Sequence, residues 1–206
     1  IFARAVIRYG GYKDTPTAAH FANLRVENAS TTIKNSIIEY SGAYGAFLKT
    51  STSTIEGSTF RNNTAGGSEG IGLIIEYGSH TLQNNTFQNN TYGLRLLSPT
   101  GAAHSISVLN NTFTQNTDEA IDANNVYPIF SGNTFSANGT NGILYQGVIS
   151  RNYTFSAGSP YKISTGLSVS ASTTLTLDPG VILKFTNSGS LTVQGNLTAN
   201  GTSANK

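Results

Sequence analysis

One short phrase returns along this chain and constrains its fold more than any other feature. It reads Ile33-Lys34-Asn35-Ser36-Ile37-Ile38, then Ile55-Glu56-Gly57-Ser58-Thr59-Phe60. It returns as Leu82-Gln83-Asn84-Asn85-Thr86-Phe87, Val108-Leu109-Asn110-Asn111-Thr112-Phe113 and Phe130-Ser131-Gly132-Asn133-Thr134-Phe135. A looser copy spans Phe2 to Ile7. Each copy places a large apolar residue five positions after an apolar opening, with small or amide side chains between. From Ile33 the copies start 22, 27, 26 and 22 residues apart. A period of this size signals a stacked repeat, whose units bury a core only against their neighbours.

Around this phrase apolar residues alternate with period two, which marks strands, and no helical stripe is evident. A second apolar pair follows each phrase: Ala46/Leu48, Ile71/Leu73, Leu94/Leu96, Ile121/Ala123 and Ile143/Tyr145. Small residues precede these pairs at Gly45, Gly70, Gly93, Ala120 and Gly142. The unit is therefore strand, turn, strand. Three residues after each anchor (Ile38, Phe60, Phe87, Phe113 and Phe135) come Ser41, Asn63, Asn90, Asn116 and Asn138. Asn favours turns, and stacked Asn side chains also bond as a ladder at the ~4.8 Å strand spacing. Either origin puts them at a corner.

Charges support the register. Stacking brings Arg8 beside Glu39, Glu39 beside Arg61, and Lys34 beside Glu56, which cross-strand pairing favours. Beyond the last phrase, Tyr161/Ile163, Leu167/Val169 and Leu175/Leu177 are matched by Leu183/Phe185, Leu191/Val193 and Leu197/Ala199 at offsets of 22 to 24. Asp178-Pro179-Gly180 marks the turn between the two sets. The chain thus divides into Asn-Thr-Phe coils over 1–147, a transition over 148–160, and coils of a following or stacked module over 161–206. Equivalence between neighbours favours a parallel β-helix over an antiparallel sandwich or barrel. The expected fold is all-β, a right-handed solenoid of about eight or nine coils, on the order of 40 Å long. Loops are expected at 13–23, 66–70 and 98–104.

Asn-Asn-Thr-Phe followed by Gly-Leu-x-Leu resembles the right-handed β-helix repeats of the pectin-lyase-like superfamily, including the periplasmic copper-processing NosD type. The stretches 175–185 and 191–202 are similar to opening coils of β-helix modules in large bacterial and archaeal surface proteins. Ala5-Val-Ile-Arg-Tyr-Gly-Gly11 resembles a phrase that falls later in such modules. The resemblance implies a segment cut out of phase from a tandem array. It specifies fold more than function, because one fold hosts many activities.

Composition narrows the chemistry. Charged residues make up 11% of the chain and the net charge is +2, so neither nucleic acid nor an anionic membrane is expected as the main partner. No apolar run approaches the ~20 residues of a membrane-spanning helix. With no Cys, disulfides, thiolate metal sites and thiol nucleophiles are excluded. The chain has no Met and starts at Ile1, so a processed or excised segment is expected. His20, His80 and His104 all fall in loop-like stretches at no fixed spacing and are expected at the surface. No metal and no cofactor is expected.

The one acidic cluster is Asp118, Glu119 and Asp122, with Asp122 one rung from Arg95. It is read either as a calcium or sugar site or as a solvated turn with one ion pair, the second being favoured. Tyr9, Tyr40, Tyr44, Tyr77 and Tyr92 are candidates for an outer sugar-binding face, with Tyr40 and Tyr44 the named ligand contacts. Among the Asn-x-Ser/Thr sites, Asn152 and Asn200 are the glycosylation candidates, ahead of Asn84 and Asn110 inside the phrase. The expected function is a non-catalytic extracellular or cell-surface structural protein that self-associates end to end; Lys206 running into Ile1 would continue a coil. The alternative is a polysaccharide-binding or polysaccharide-cleaving (lyase or hydrolase) β-helix, with carbohydrate as partner.

Overall fold

The computed structural model describes residues 1–11, 21–64, 70–98, 105–186 and 188–204, the side chain of Phe2 excepted. Every strand pairing among them is parallel. The strands wind into a solenoid of about eight turns, and the described residues contain no helix. A typical turn has three faces. In one turn, strand Tyr44–Glu56 supplies the first two faces, bending at Thr50, and Thr59–Arg61 supplies the third.

The corners follow from local backbone chemistry. A single residue in the left-handed region redirects a strand, and glycine and asparagine enter that region at least cost. Three columns of such residues run up the solenoid. The first contains Asn28, Thr50, Tyr77, Asn125 and Gly147. The second is Arg4, Asn35, Gly57, Asn84, Asn110 and Gly132, and the third is Tyr9, Tyr40, Asn62, Asn89, Gln115 and Ala137. The repeated phrase is therefore a short strand held between two corners.

Inward positions build the core. Phe60, Phe87, Phe113 and Phe135 form one column, with ring centroids 5.1, 4.8 and 5.5 Å apart and nearly parallel planes. Ile33, Ile55, Leu82, Val108 and Phe130 form another. On the first face the columns are Ala46, Leu73, Leu94, Ile121, Ile143 and Leu48, Ile75, Leu96, Ala123, Tyr145. This corrects the pairing expected for Ile71/Leu73, which lies two residues early. Gly72, not Gly70, aligns with Gly45 and Gly93. A Cβ on Gly72 would lie 2.7 Å from the Gly93 carbonyl oxygen and 3.0 Å from Asn90 Nδ2, so the column admits almost no side chain.

The Asn ladder forms as expected. Asn63 Nδ2 donates to Asn90 Oδ1 (2.9 Å), Asn90 Nδ2 to Asn116 Oδ1 (3.1 Å), and Asn116 Nδ2 to Asn138 Oδ1 (2.8 Å). Asn141 caps it, accepting from Asn138 Nδ2 at 2.9 Å. Each amide also donates to a strand carbonyl of the preceding turn, as Asn90 Nδ2 does to Phe60 O at 3.0 Å. A second ladder occupies the other end of the phrase: Ser36, Ser58, Asn85, Asn111 and Asn133. In each Asn-Asn pair the first residue turns the corner and faces solvent, and the second points inward and bonds along the stack. Polar groups inside a core are tolerated when satisfied in this way.

The three charge pairs expected from the register are present: Arg8–Glu39 at 3.7 Å, Arg61–Glu39 at 2.8 Å and Lys34–Glu56 at 2.8 Å. Other expectations change. His80 is not in a surface loop. It points inward from strand Ile71–Gln83, is 2% exposed, and its Nε2 lies 3.0 Å from the Tyr77 carbonyl. Residues 22 and 23, expected in a loop, open strand Ala22–Glu27. Residues 13–20 of that loop, most of the other two, His20 and His104 lie outside the described residues.

The stack is interrupted once on two faces. On the first face, Glu119–Asn124 pairs with Thr140–Ile149 and the ladder continues. On the second, Ile129–Ser131 pairs back to Ser105–Leu109 but, among the described residues, with no strand ahead. On the third, Thr134–Ser136 ends one sheet and Tyr153–Phe155 begins another. The interruption lies between the turn that carries the last copy of the phrase, Phe130–Phe135, and the strands at 147–155.

Candidate functional site

The acidic cluster sits on the outside of the first face. An unbroken outward column there runs Arg25, Phe47, Ile74, Arg95, Asp122, Leu144, Lys162, Lys184. Period-two alternation forces these residues outward because their neighbours fill the core. Arg95 Nε meets Asp122 Oδ2 at 2.9 Å, as the register predicts. Gln146 donates to Asp122 Oδ1 at 3.1 Å. Asp122 is thus held at both oxygens. Burial raises its pKa, while the Arg95 charge opposes the rise.

Asp118 and Glu119 stand where the chain enters strand Glu119–Asn124. The Asp118 backbone is pinned on both sides, its N–H donating to Thr91 O at 2.9 Å and its carbonyl accepting from Thr140 N at 3.0 Å. Glu119 is 7% exposed, and its Oε1 accepts from Lys162 Nζ at 3.3 Å. Lys162 also donates to Thr140 Oγ1 at 2.8 Å. The pKa of Glu119 is raised to about 7, first by burial, then by its hydrogen bond to Asp118 and the Asp118 charge, with Lys162 pulling the other way. Glu119 is therefore poised to gain or lose a proton near neutrality. Tyr92, also raised by burial and by a hydrogen bond to Asp118, carries the Arg95 guanidinium over its ring at 4.1 Å.

The structure thus gathers Asp118, Glu119 and Asp122 with Tyr92, Arg95 and Lys162, of which only Arg95 was legible as a neighbour. Lys162 was missed because it comes from two turns later. Its signal was the outward position of Tyr161-Lys-Ile163 in the Leu-x-Leu phase. The cluster can donate and accept protons near pH 7 and can hydrogen-bond sugar hydroxyls. Among the described residues, no group of three or more His, Cys, Asp or Glu side chains is arranged to hold a metal ion.

The tyrosines do not form a single face. Tyr9 and Tyr40 stack at one corner, 5.4 Å apart and 71% and 44% exposed. Tyr44 and Tyr92 instead align through Ile71 on the first face. Tyr77 turns a different corner. Tyr40 therefore lies at a corner and Tyr44 on the first face. Asn152 and Asn200 are exposed, and so are Asn84 and Asn110, because the phrase places them on the outside of a corner.

A family model described as the right handed beta helix region matches residues 22–204. The chain belongs to the right-handed β-helix family. The pectin-lyase-like and NosD-type resemblance is consistent with this membership. No match was found among curated proteins or among solved structures.

Proposed function

We propose that this β-helix is a non-catalytic structural segment of an extracellular or cell-surface protein, a rod that lengthens by stacking end to end with further copies. The observation that carries this reading is the equivalence of successive turns: Phe60, Phe87, Phe113 and Phe135 stack in one column, and Asn63, Asn90, Asn116 and Asn138 bond in one ladder. A parallel stack offers on one side the rung that it lacks on the other, and head-to-tail contacts of this kind do not close. The inward residues Phe185, Val193 and Leu197 are 48%, 40% and 43% exposed. Light scattering and negative-stain imaging test the proposal. Elongated assemblies should grow with concentration and disappear in Val193→Lys/Leu197→Lys, whose positions are already exposed. A wild-type protein that stays monomeric at high concentration overturns it.

Glu119, its pKa raised to about 7 by burial and by Asp118 beside it, supports a second reading, a polysaccharide-active β-helix. Ultraviolet absorbance for lyase products and reducing-end release for hydrolysis, on a panel of polysaccharides, test it. Activity abolished by Asp118→Ala or Glu119→Gln is the expected result. No turnover of any polymer by the wild-type chain refutes it.

A further inference from the structure

We propose that the unpaired strand edge at residues 129–137 docks one extended segment of another polypeptide, a segment that carries the same apolar-x-x-Asn-Thr-aromatic phrase. The inference depends on neither reading of function. The lower turns show what this edge recognises, because one set of bonds recurs between successive phrases. Asn85 N and Nδ2 both donate to Asn111 Oδ1, at 2.9 and 3.0 Å. Asn111 N and Nδ2 both donate to Asn133 Oδ1, at 2.9 and 3.2 Å. At the corner before them, Asn84 N donates to Leu109 O at 3.1 Å and Asn110 N to Ser131 O at 2.8 Å. At the corner after the strand, Asn89 N donates to Thr114 O at 3.2 Å and Gln115 N to Ser136 O at 3.1 Å. In return, Thr112 N donates to Asn85 O at 2.8 Å and Thr134 N to Asn111 O at 2.9 Å. Each phrase thus receives the next through its backbone and through one side-chain oxygen.

The last phrase presents the same groups forward. Among the described residues, Gly132 N, Asn133 N and Ala137 N meet no acceptor, and Asn133 Nδ2 donates only to the turn below, to Val108 O at 2.8 Å. Asn133 is 7% exposed, so two donors that elsewhere converge on one amide oxygen are held in a buried setting. Buried donors in folded chains are nearly always satisfied. The sister ladder has its own closure, since Asn141 Oδ1 accepts from Asn138 N and Nδ2 at 2.9 Å each. Phe135 stacks on Phe113 below it and, among the described residues, on no ring above. A cleft of about 690 Å³ lies ahead of Ile129 and Phe130, with Asn152, Tyr153 and Thr154 on its other side, and gives a guest room for its first side chains. Strand addition of this kind draws affinity from main-chain bonds and selectivity from side-chain sites. Here the selective site takes an amide oxygen and the next-but-one position takes an aromatic ring. A second copy of this chain does not supply the guest. Its phrases from Ile33 to Phe113 are paired on both sides, its Phe130–Phe135 presents the same donors, and its Phe2–Ile7 has Ala5 where the oxygen is needed.

The test uses the whole unaltered chain and a fluorescent peptide with the sequence of residues 108–116, Val-Leu-Asn-Asn-Thr-Phe-Thr-Gln-Asn. Anisotropy reads binding and amide hydrogen exchange reads its place. The peptide should bind saturably. Asn111→Ala in the peptide should weaken binding about tenfold or more, because two donors lose their shared oxygen. Asn110→Gly in the peptide, at the solvent-facing corner, should leave binding unchanged. On the protein, exchange should slow at Gly132, Asn133 and Ala137 and stay the same at Thr134, whose N–H is already bonded to Asn111 O. Absence of saturable binding, equal affinities or equal losses for the two peptide variants, or protection confined to strands other than those at 129–137 overturns the proposal.

Discussion

Asn90→Ala is the most informative perturbation of this fold. The side chain makes four hydrogen bonds: it accepts from Asn63 N and Asn63 Nδ2 at 3.1 and 2.9 Å, and donates to Phe60 O and Asn116 Oδ1 at 3.0 and 3.1 Å. Asn63, Asn90 and Asn116 are all fully buried, so water cannot replace these partners. Four bonds at about 1 kcal/mol net each give about 4 kcal/mol, and the orphaned Asn63 N–H adds about 1–3. A loss of roughly 5–7 kcal/mol is comparable to the whole stability of many domains. Because a solenoid is held by nearest-neighbour contacts, the loss should appear as separate melting of the turns on either side. The neighbouring Asn89 supplies the control. It turns a corner at φ 53° and is exposed, so Asn89→Gly should change stability by only a few tenths of a kcal/mol. Urea titration with amide hydrogen exchange reads both variants. An Asn90→Ala protein within about 1 kcal/mol of wild type, with unchanged exchange at Asn63, refutes the claim that the ladder couples the turns.

Glu119 makes stability depend on pH in a direction opposite to most carboxylates. Its folded-state pKa is raised to about 7 from a reference near 4.5, so the native state holds the proton more tightly than the unfolded chain. Its contribution is complete at acid pH and is lost as pH rises through about 7, by an amount on the order of 2–3 kcal/mol. Denaturation midpoints should fall between pH 5 and 8, and Glu119→Gln should flatten that fall. Gly93→Ala would place a Cβ 2.5 Å from the Ala120 carbonyl oxygen and 3.0 Å from the Phe113 ring, so chemical denaturation should show a loss of about 1–3 kcal/mol. Tyr153→Phe removes the bond to Pro128 O, and hydrogen exchange should rise around 147–155 while the Phe60–Phe113 turns stay protected.

Much of this was legible because stacking repeats each position's environment. Phe87 sees Phe60 and Phe113, so like residues at one phase declare the column before any coordinate exists. Glu39 between Arg8 and Arg61 was readable for the same reason. The second ladder was readable in principle: Ser36, Ser58, Asn85, Asn111 and Asn133 share one phase, but serine and asparagine look unlike until both accept from the same backbone position. Ile71-Gly-Leu-Ile-Ile75 misled because a continuous apolar run has no alternation to fix its phase, and here Ile71 and Ile74 pack on the outside with Phe47. His80 misled because its polarity suggested a loop, whereas its ring bonds to a local carbonyl inside the core. The cleft arises where pairing stops. A pattern of repetition does not announce its own interruption, and Tyr127, Tyr145 and Tyr153 read singly as ordinary strand residues.

The amides of the inner ladder all point one way: each Nδ2 faces the oxygen of the following turn, from Asn63 to Asn138 and on to Asn141. Aligned dipoles polarise one another along the axis. The solenoid is consequently a vector, with a donor-facing and an acceptor-facing pole. A copy placed upside down would set oxygen against oxygen, so any lattice or fibre that extended this row would carry a single sense throughout its length.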